Sequence, residues 1–320
     1  MGRTSTAALC IGAILLLPAC ARPDVASPSP SSSPTSSAPA APKPSGAPTL
    51  GVLGAAVENG VRRPRTAAQA ARQVLAAEDA IRTPGTSRAV LAVAGELAQV
   101  AYRVIGVRPT WDQPVLAALP KRLHRVVRLN VSARREFRSM HSTLSDTLPA
   151  WRIIEPEPID DLVGHYLEAE RRFGVDWEYL AAINLVETGM GRIRGLSVAS
   201  ARGPMQFIPS TWAQYGAGDI DDPRDAILAA GRYLEARGFT DRGGIPGALY
   251  SYNNHPAYVR GVTDLAEVMQ DDPRSFRGYY HWQVYYLSDA GDVVLRPGYA
   301  SPTSIPVRRY LRQNPAAAST

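Results

Sequence analysis

Both cysteines of this 320-residue chain, Cys10 and Cys20, fall within its first twenty residues, so everything after them must fold without a disulfide or a thiolate-bound metal. Stability has to come from packing. With 45% hydrophobic and 20% charged residues the chain can build a sizeable core, and its length fits one large domain or two modest ones. The net charge of +6 favours anionic surroundings. Basic pairs such as Arg134-Arg135 sit in helical stretches without interleaved aromatics and read as solvated helix faces, so no nucleic-acid partner is expected.

Arg3, the apolar run Ala7 to Leu17 and the closing Leu17-Pro18-Ala19-Cys20 make residues 1–20 a secretory signal, too short in its apolar part to span a bilayer. The last four residues resemble the lipobox of bacterial lipoproteins. That resemblance implies a lipidated Cys20 and an extracytoplasmic protein anchored to the cell membrane, facing the cell wall; the competing reading is ordinary signal cleavage with Cys20 lost or left as a free thiol. Residues 22 to 48 carry eight Pro and eight Ser and almost no large apolar side chains, which leaves nothing to offset the entropy of ordering. Residues 21–60 are accordingly expected to be a disordered tether, whose Pro-rich part reaches roughly 80 Å at about 3.1 Å per residue.

From 61 to 150 the Ala, Arg, Leu and Val spacing is helical, with Ser87 as an N-cap for a helix to about Ile105 and a second helix from Pro120 to about Ser142. His124 and His141 are isolated, and this stretch is expected to be a helical accessory segment. A second domain is expected over 151–300, with helices at Ile159 to Phe173, Trp177 to Thr188, Pro223 to Ala236 and Gly247 to Asn253. Strand character at Tyr279 to Leu287, a turn at Asp289 to Asp292 and Val293-Val294-Leu295 predict a small β-hairpin. Residues 301–320 read as a frayed tail.

Within the Trp177 helix, Glu187 falls on the apolar stripe of Leu180 and Ile183 and in the last turn, before Gly189 and Gly191. Desolvation and the negative helix end both raise a carboxyl pKa and favour the protonated form that a general acid needs. The same placement also fits a glutamate paired with Arg192 or Arg194, and the helix alone does not choose between the two.

Three stretches in order resemble the catalytic domain of the lytic transglycosylases, a lysozyme-like family, in its actinobacterial lipoprotein form. They are Glu187-Thr188 at the helix end, Gly203-Pro204-Met205-Gln206, and Ser251-Tyr252-Asn253-Asn254, covering roughly residues 155 to 290. The implied fold is mainly α: a lysozyme-like helical catalytic domain with a small β-hairpin, preceded by the accessory segment. The implied substrate is the peptidoglycan glycan strand, cleaved at the MurNAc-GlcNAc β-1,4 bond, with no cofactor. In that scheme Glu187 protonates the leaving oxygen and then deprotonates the sugar's own 6-hydroxyl, giving a 1,6-anhydro end. Thr188, Met205, Gln206, Tyr252 and Asn253 would contact substrate, with Met205 against a sugar face and the Tyr252 hydroxyl near the carboxylate. Trp212, Tyr215 and Tyr250 are read as packing.

Hydrolysing glycosidases use two carboxylates. Asp222-Pro223 has the form of a helix start, which leaves Asp219 and Asp221 as helpers for the rival reading, a muramidase acting with water. A further rival is a non-catalytic wall-binding lipoprotein. No metal spacing, G-x-S-x-G elbow or P-loop is present in the sequence.

Overall fold

A computed structural model describes residues 47–197 and 199–319. The expected signal peptide, Cys20 and the tether as far as residue 46 lie outside the described residues.

Helices with apolar residues three and four apart form most of the structure. In the first layer are α1 (Ala47–Asn59), α2 (Ala67–Arg82), α3 (Arg88–Gly106), α4 (Asp112–Ala117) and α5 (His124–Ser139). Ser87 caps α3 as its sequence predicts, accepting the Val90 N–H at 3.3 Å. By length and mean hydropathy α3 could cross a membrane, but 67% of that stretch lies inside the fold. It is a core helix, burying Leu91, Ala94, Leu97, Ala98, Ala101 and Ile105 along one face.

Two short strands, β1 (Thr147–Leu148) and β2 (Arg152–Ile153), lead into α6 (Ile159–Phe173), α7 (Trp177–Thr188) and β3 (Ile193–Arg194), which pairs antiparallel with β2. Then follow α8 (Pro209–Tyr215), α9 (Pro223–Ala236), α10 (Ile245–Tyr252), α11 (Pro256–Asp271) and α12 (Ser275–Tyr279). The hairpin β4 (Val284–Ser288) and β5 (Gly291–Leu295) closes through Ser288 opposite Gly291. It begins later than Tyr279 because that residue ends α12. Last come β6 (Ile305–Pro306), α13 (Val307–Gln313) and β7 (Ala318–Ser319).

Helix α7 packs against α6, α9 and α11, and its side chains from Tyr179 to Leu185 are all buried. Gly189 stops it in the left-handed conformation at φ +61°, with Gly189 N–H returning to Leu185 C=O and Met190 N–H to Asn184 C=O. The helix end beside Glu187 is therefore fixed by backbone bonds.

Three expected boundaries differ from the structure. Helix α1 occupies the end of the expected tether and buries Leu53 in the core, with Val52 packed against it, since apolar residues at helical spacing resume there. Residues 61–150 do not stand apart as an accessory layer: α2, α3 and α5 share one hydrophobic core with α6, α7 and α9 to α12. Gln99 on α3 locks this junction, exchanging 2.8 Å bonds with the Gln283 backbone in both directions. The expected tail is folded as well. Val307 is wholly buried in a second core with Leu148, Ile153, Val293 and Leu295, β6 pairs with β1 and β7 with β5.

Candidate active site

Glu187 is 6% exposed. The Tyr258 hydroxyl on α11 donates to its Oε1 at 2.7 Å, and its Oε2 is buried without a hydrogen-bond partner among the described residues. Burial dominates its ionisation and the Tyr258 bond opposes it, leaving the carboxyl pushed up from an ordinary 4.5 to about 8. An ionised Oε2 in that position would carry an unsatisfied charge, so the neutral acid is the resting form at neutral pH. The ion-pair reading fails on geometry. Arg192 donates to the carbonyls of Gly189 at 2.9 Å and Tyr280 at 2.7 Å, and Arg194 donates to that of Asp221 at 2.7 Å.

The 203–206 loop is pinned onto α7. Pro204 C=O accepts from the Thr188 hydroxyl at 2.6 Å and from the Asn184 amide at 2.9 Å, while Asn184 Oδ1 accepts from Tyr166 at 2.6 Å. Arg202 and Phe207 exchange two 2.9 Å backbone bonds around a turn with Gln206 at φ +50°. Gly203, at φ +80°, has no room for a side chain, since a Cβ there would collide with the Ile220 carbonyl. Gln206 holds itself in the turn through a 3.1 Å bond to Gly203 C=O.

The structure ties Thr188, the 203–206 loop and Tyr252 together beside Glu187, with duties for Thr188, Met205 and Tyr252 other than those expected. Thr188 is wholly buried and its hydroxyl is committed to Pro204, so it anchors the loop and presents nothing to a sugar. Met205 is 0% exposed, which rules out packing on a sugar face. Tyr252 does not reach the carboxylate. Its hydroxyl donates to Met205 C=O at 2.7 Å, and its ring lies parallel to that of Tyr258 at 6.4 Å. The tyrosine on the acid is thus Tyr258, which the sequence reading missed. Its signal was there: Tyr258, Val262, Leu265 and Met269 repeat at helical spacing behind His255, whose Nδ1 caps α11 by accepting from Ala257 N–H.

Asn253 is buried but its side-chain amide makes no hydrogen bond among the described residues, and Gln206 keeps its Oε1 unspent. Trp212 and Tyr215 pack on Phe207 and Tyr233, as expected. Tyr250 is 44% exposed.

Among the described residues no second carboxylate bonds to Glu187 or shifts its ionisation. Asp221 pairs with Arg202, Asp219 Oδ1 accepts the Asp221 N–H at 2.9 Å, and Asp222 caps α9 through Asp225 N–H at 2.9 Å. All three serve the loop and the helix start.

Residues 165–268 match the transglycosylase SLT domain family. The SLT domain so delimited runs from α6 into α11 and contains every residue of the site just described, within a mainly α, lysozyme-like fold. Among curated proteins the chain is similar to membrane-bound lytic murein transglycosylase F of Thiobacillus denitrificans, at 29% identity over 153 residues, covering 45% of this chain and 32% of the relative. The chain spans about a third of the length of that relative. No solved structure matches it.

Proposed function

We propose that this chain is a peptidoglycan lytic transglycosylase in which Glu187 is both acid and base. The observation that carries the reading is a lone carboxyl, buried, neutral at rest and held by one phenol, in an SLT domain without a partner carboxylate. Protonated Glu187 gives its proton to the glycosidic oxygen between MurNAc and GlcNAc as that bond breaks, with the sugar's N-acetyl group assisting at the anomeric carbon. The resulting carboxylate, stabilised by the Tyr258 hydroxyl, then takes the proton of the MurNAc 6-hydroxyl as its oxygen closes on that carbon. A 1,6-anhydro end forms, no water is consumed, and Glu187 is again protonated. Gln206 and Asn253 bind substrate amides or hydroxyls, while Thr188, Met205 and Tyr252 hold the loop that presents them.

The muramidase reading would need Asp219 or Asp221 to activate water, and both are engaged elsewhere. Mass spectrometry of digested peptidoglycan tests the proposal: products one water lighter than reducing muropeptides are expected, and products with reducing ends alone would overturn it. Glu187→Gln should lower the rate by about 10²–10⁴-fold, the contribution of a positioned acid; a variant as active as the parent would refute the assignment. The same proposal holds the domain outside the cytoplasm, tethered to the membrane by a lipid on Cys20.

A further inference from the structure

A cavity of about 310 Å³ lies between Gly106 and Val107 at the end of α3 and the last turns of α5, where Arg134, Arg135, Arg138 and His141 line it. Arg134-Arg135 read in the sequence as a solvated face, but the Arg134 side chain is only 12% exposed. Arg135 is fully employed. It grips both carboxylate oxygens of Asp112 at 2.8 Å and caps α3 by donating to Gly106 C=O at 3.0 Å.

The other cations are under-served. Arg134 reaches one carboxylate, Asp292, at 3.3 Å and shares it with Arg103; the Nε atoms of both arginines are buried without hydrogen-bond partners among the described residues. Arg138 makes one bond, to His141 C=O at 3.1 Å. Burial and the nearby Arg103 push Arg134 down to about 10 even with Asp292 beside it, and burial together with Arg138 and Arg134 holds His141 below its ordinary value. Among the described residues Asp292 is the carboxylate facing Arg103 and Arg134, and it does not balance these two guanidinium groups together with Arg138.

We propose that this cavity binds a phosphate group, held by Arg134 and Arg138 with His141 closing on it. A guanidinium fork matches phosphate oxygens two at a time, and phosphate brings three acceptor oxygens and up to two charges, where a carboxylate brings two oxygens and one charge. The site is separate from Glu187 and independent of the proposed reaction.

A soluble phosphate and a phospholipid headgroup present the same chemistry, and two measurements on the full chain separate them, each made in a Cys20→Ala background so that no lipid anchor carries the protein to vesicles. Inorganic phosphate is titrated calorimetrically at low salt into the parent and into Arg134→Met/Arg138→Met; sedimentation with phosphatidylglycerol vesicles is run on the same pair. The parent should bind phosphate at millimolar concentration or tighter, the double variant roughly tenfold or more weakly, and the His141 imidazole resonances should shift in the parent as phosphate is added. Arg138→Met alone, which removes a single bond to a carbonyl, should also weaken binding, and it covers the case in which the double variant misfolds. Loss of vesicle binding in parallel identifies a lipid headgroup as the source; unchanged vesicle binding with phosphate binding lost identifies a soluble phosphate. A parent that does not bind phosphate, or an Arg138→Met variant that binds it as the parent does, overturns the proposal.

Discussion

Replacing Glu187 by Gln should stabilise the protein, and by an amount that depends on pH. The carboxyl titrates near 8 in the fold and near 4.5 when exposed. Between those values the folded chain holds a proton that the unfolded chain has released, so the stability contributed by the neutral acid is complete below pH 4.5 and is lost as pH rises to 8. Each pK unit is worth about 1.4 kcal/mol, which puts the loss at about 3 kcal/mol by pH 7 and about 5 kcal/mol above pH 8. Gln does not titrate, and its carbonyl can accept the Tyr258 bond as Oε1 does. The groups coupled to Glu187, Tyr252 and Tyr258, ionise well above this pH range and leave the comparison untouched. The difference in Tm between variant and parent should therefore be near zero at pH 4.5 and reach about 6–12 °C at pH 7, at about 2–4 °C per kcal/mol for a chain of this size. Thermal melts of the pair by circular dichroism across that range decide the matter. A Tm difference that stays constant from pH 4.5 to 8, or that moves in the parent's favour, would refute a buried neutral carboxyl.

Tyr258→Phe removes the only bond to the carboxyl among the described residues, and because that bond favours the ionised form, its loss should raise the Glu187 pKa further. The alkaline limb of the activity profile should move upward, and kcat should fall about tenfold or more for one bond to a charged group; an unmoved limb would show that the phenol does not act on the acid. Thr188→Val leaves Pro204 C=O one donor short and should cost about 1–3 kcal/mol in urea unfolding, with a higher KM as the loop loosens. Asp222→Ala removes the α9 cap and should cost about 1 kcal/mol with kcat unchanged, since its carboxylate serves a helix start. Cys20→Ala should move the protein from the membrane to the soluble fraction, and unchanged partitioning would refute lipidation.

Helices whose boundaries depend on neighbours in the chain were legible in the sequence. The bounds of α6, α7 and α9 follow from apolar spacing and from local stops and starts: Gly174 and Gly189 in left-handed conformation, Asp222 with Pro223. Helix α11 was not, because His255-Pro256 after two asparagines reads as a turn continuing rather than as a cap. With that helix went Tyr258, whose meeting with Glu187 joins residues 71 apart in the chain. The resemblance pointed to a tyrosine at the carboxyl but placed it at Tyr252, at the end of α10, whereas the one that bonds Glu187 stands on the next helix, because a phenol's direction is set by packing. Tyr252 is turned to Met205 C=O by the loop it braces, which leaves the carboxyl to the ring stacked on it. Likewise the charges on α5 looked alike along the sequence. Arg125 and Arg260 remain more than half exposed in their ion pairs across α5 and α11, whereas Arg134 is covered, and the difference comes from elements far away in sequence.

A single residue that must be acid in one half of a reaction and base in the other needs a pKa close to the working pH, because either extreme helps one half and stops the other. Burial alone would carry Glu187 too far toward permanent protonation. The Tyr258 hydroxyl counters burial on one oxygen and leaves the other without a partner, so that Oε1 is prepared for the charged form while Oε2 is prepared to carry the proton. Neither oxygen can drift, since α7 ends on the Gly189 backbone bonds and the facing loop is tied to Thr188 and Asn184. In the proposed reaction the side chains committed to packing, Thr188, Met205 and Tyr252, serve the chemistry without touching substrate: they hold in place the carboxyl that has both to give and to take a proton.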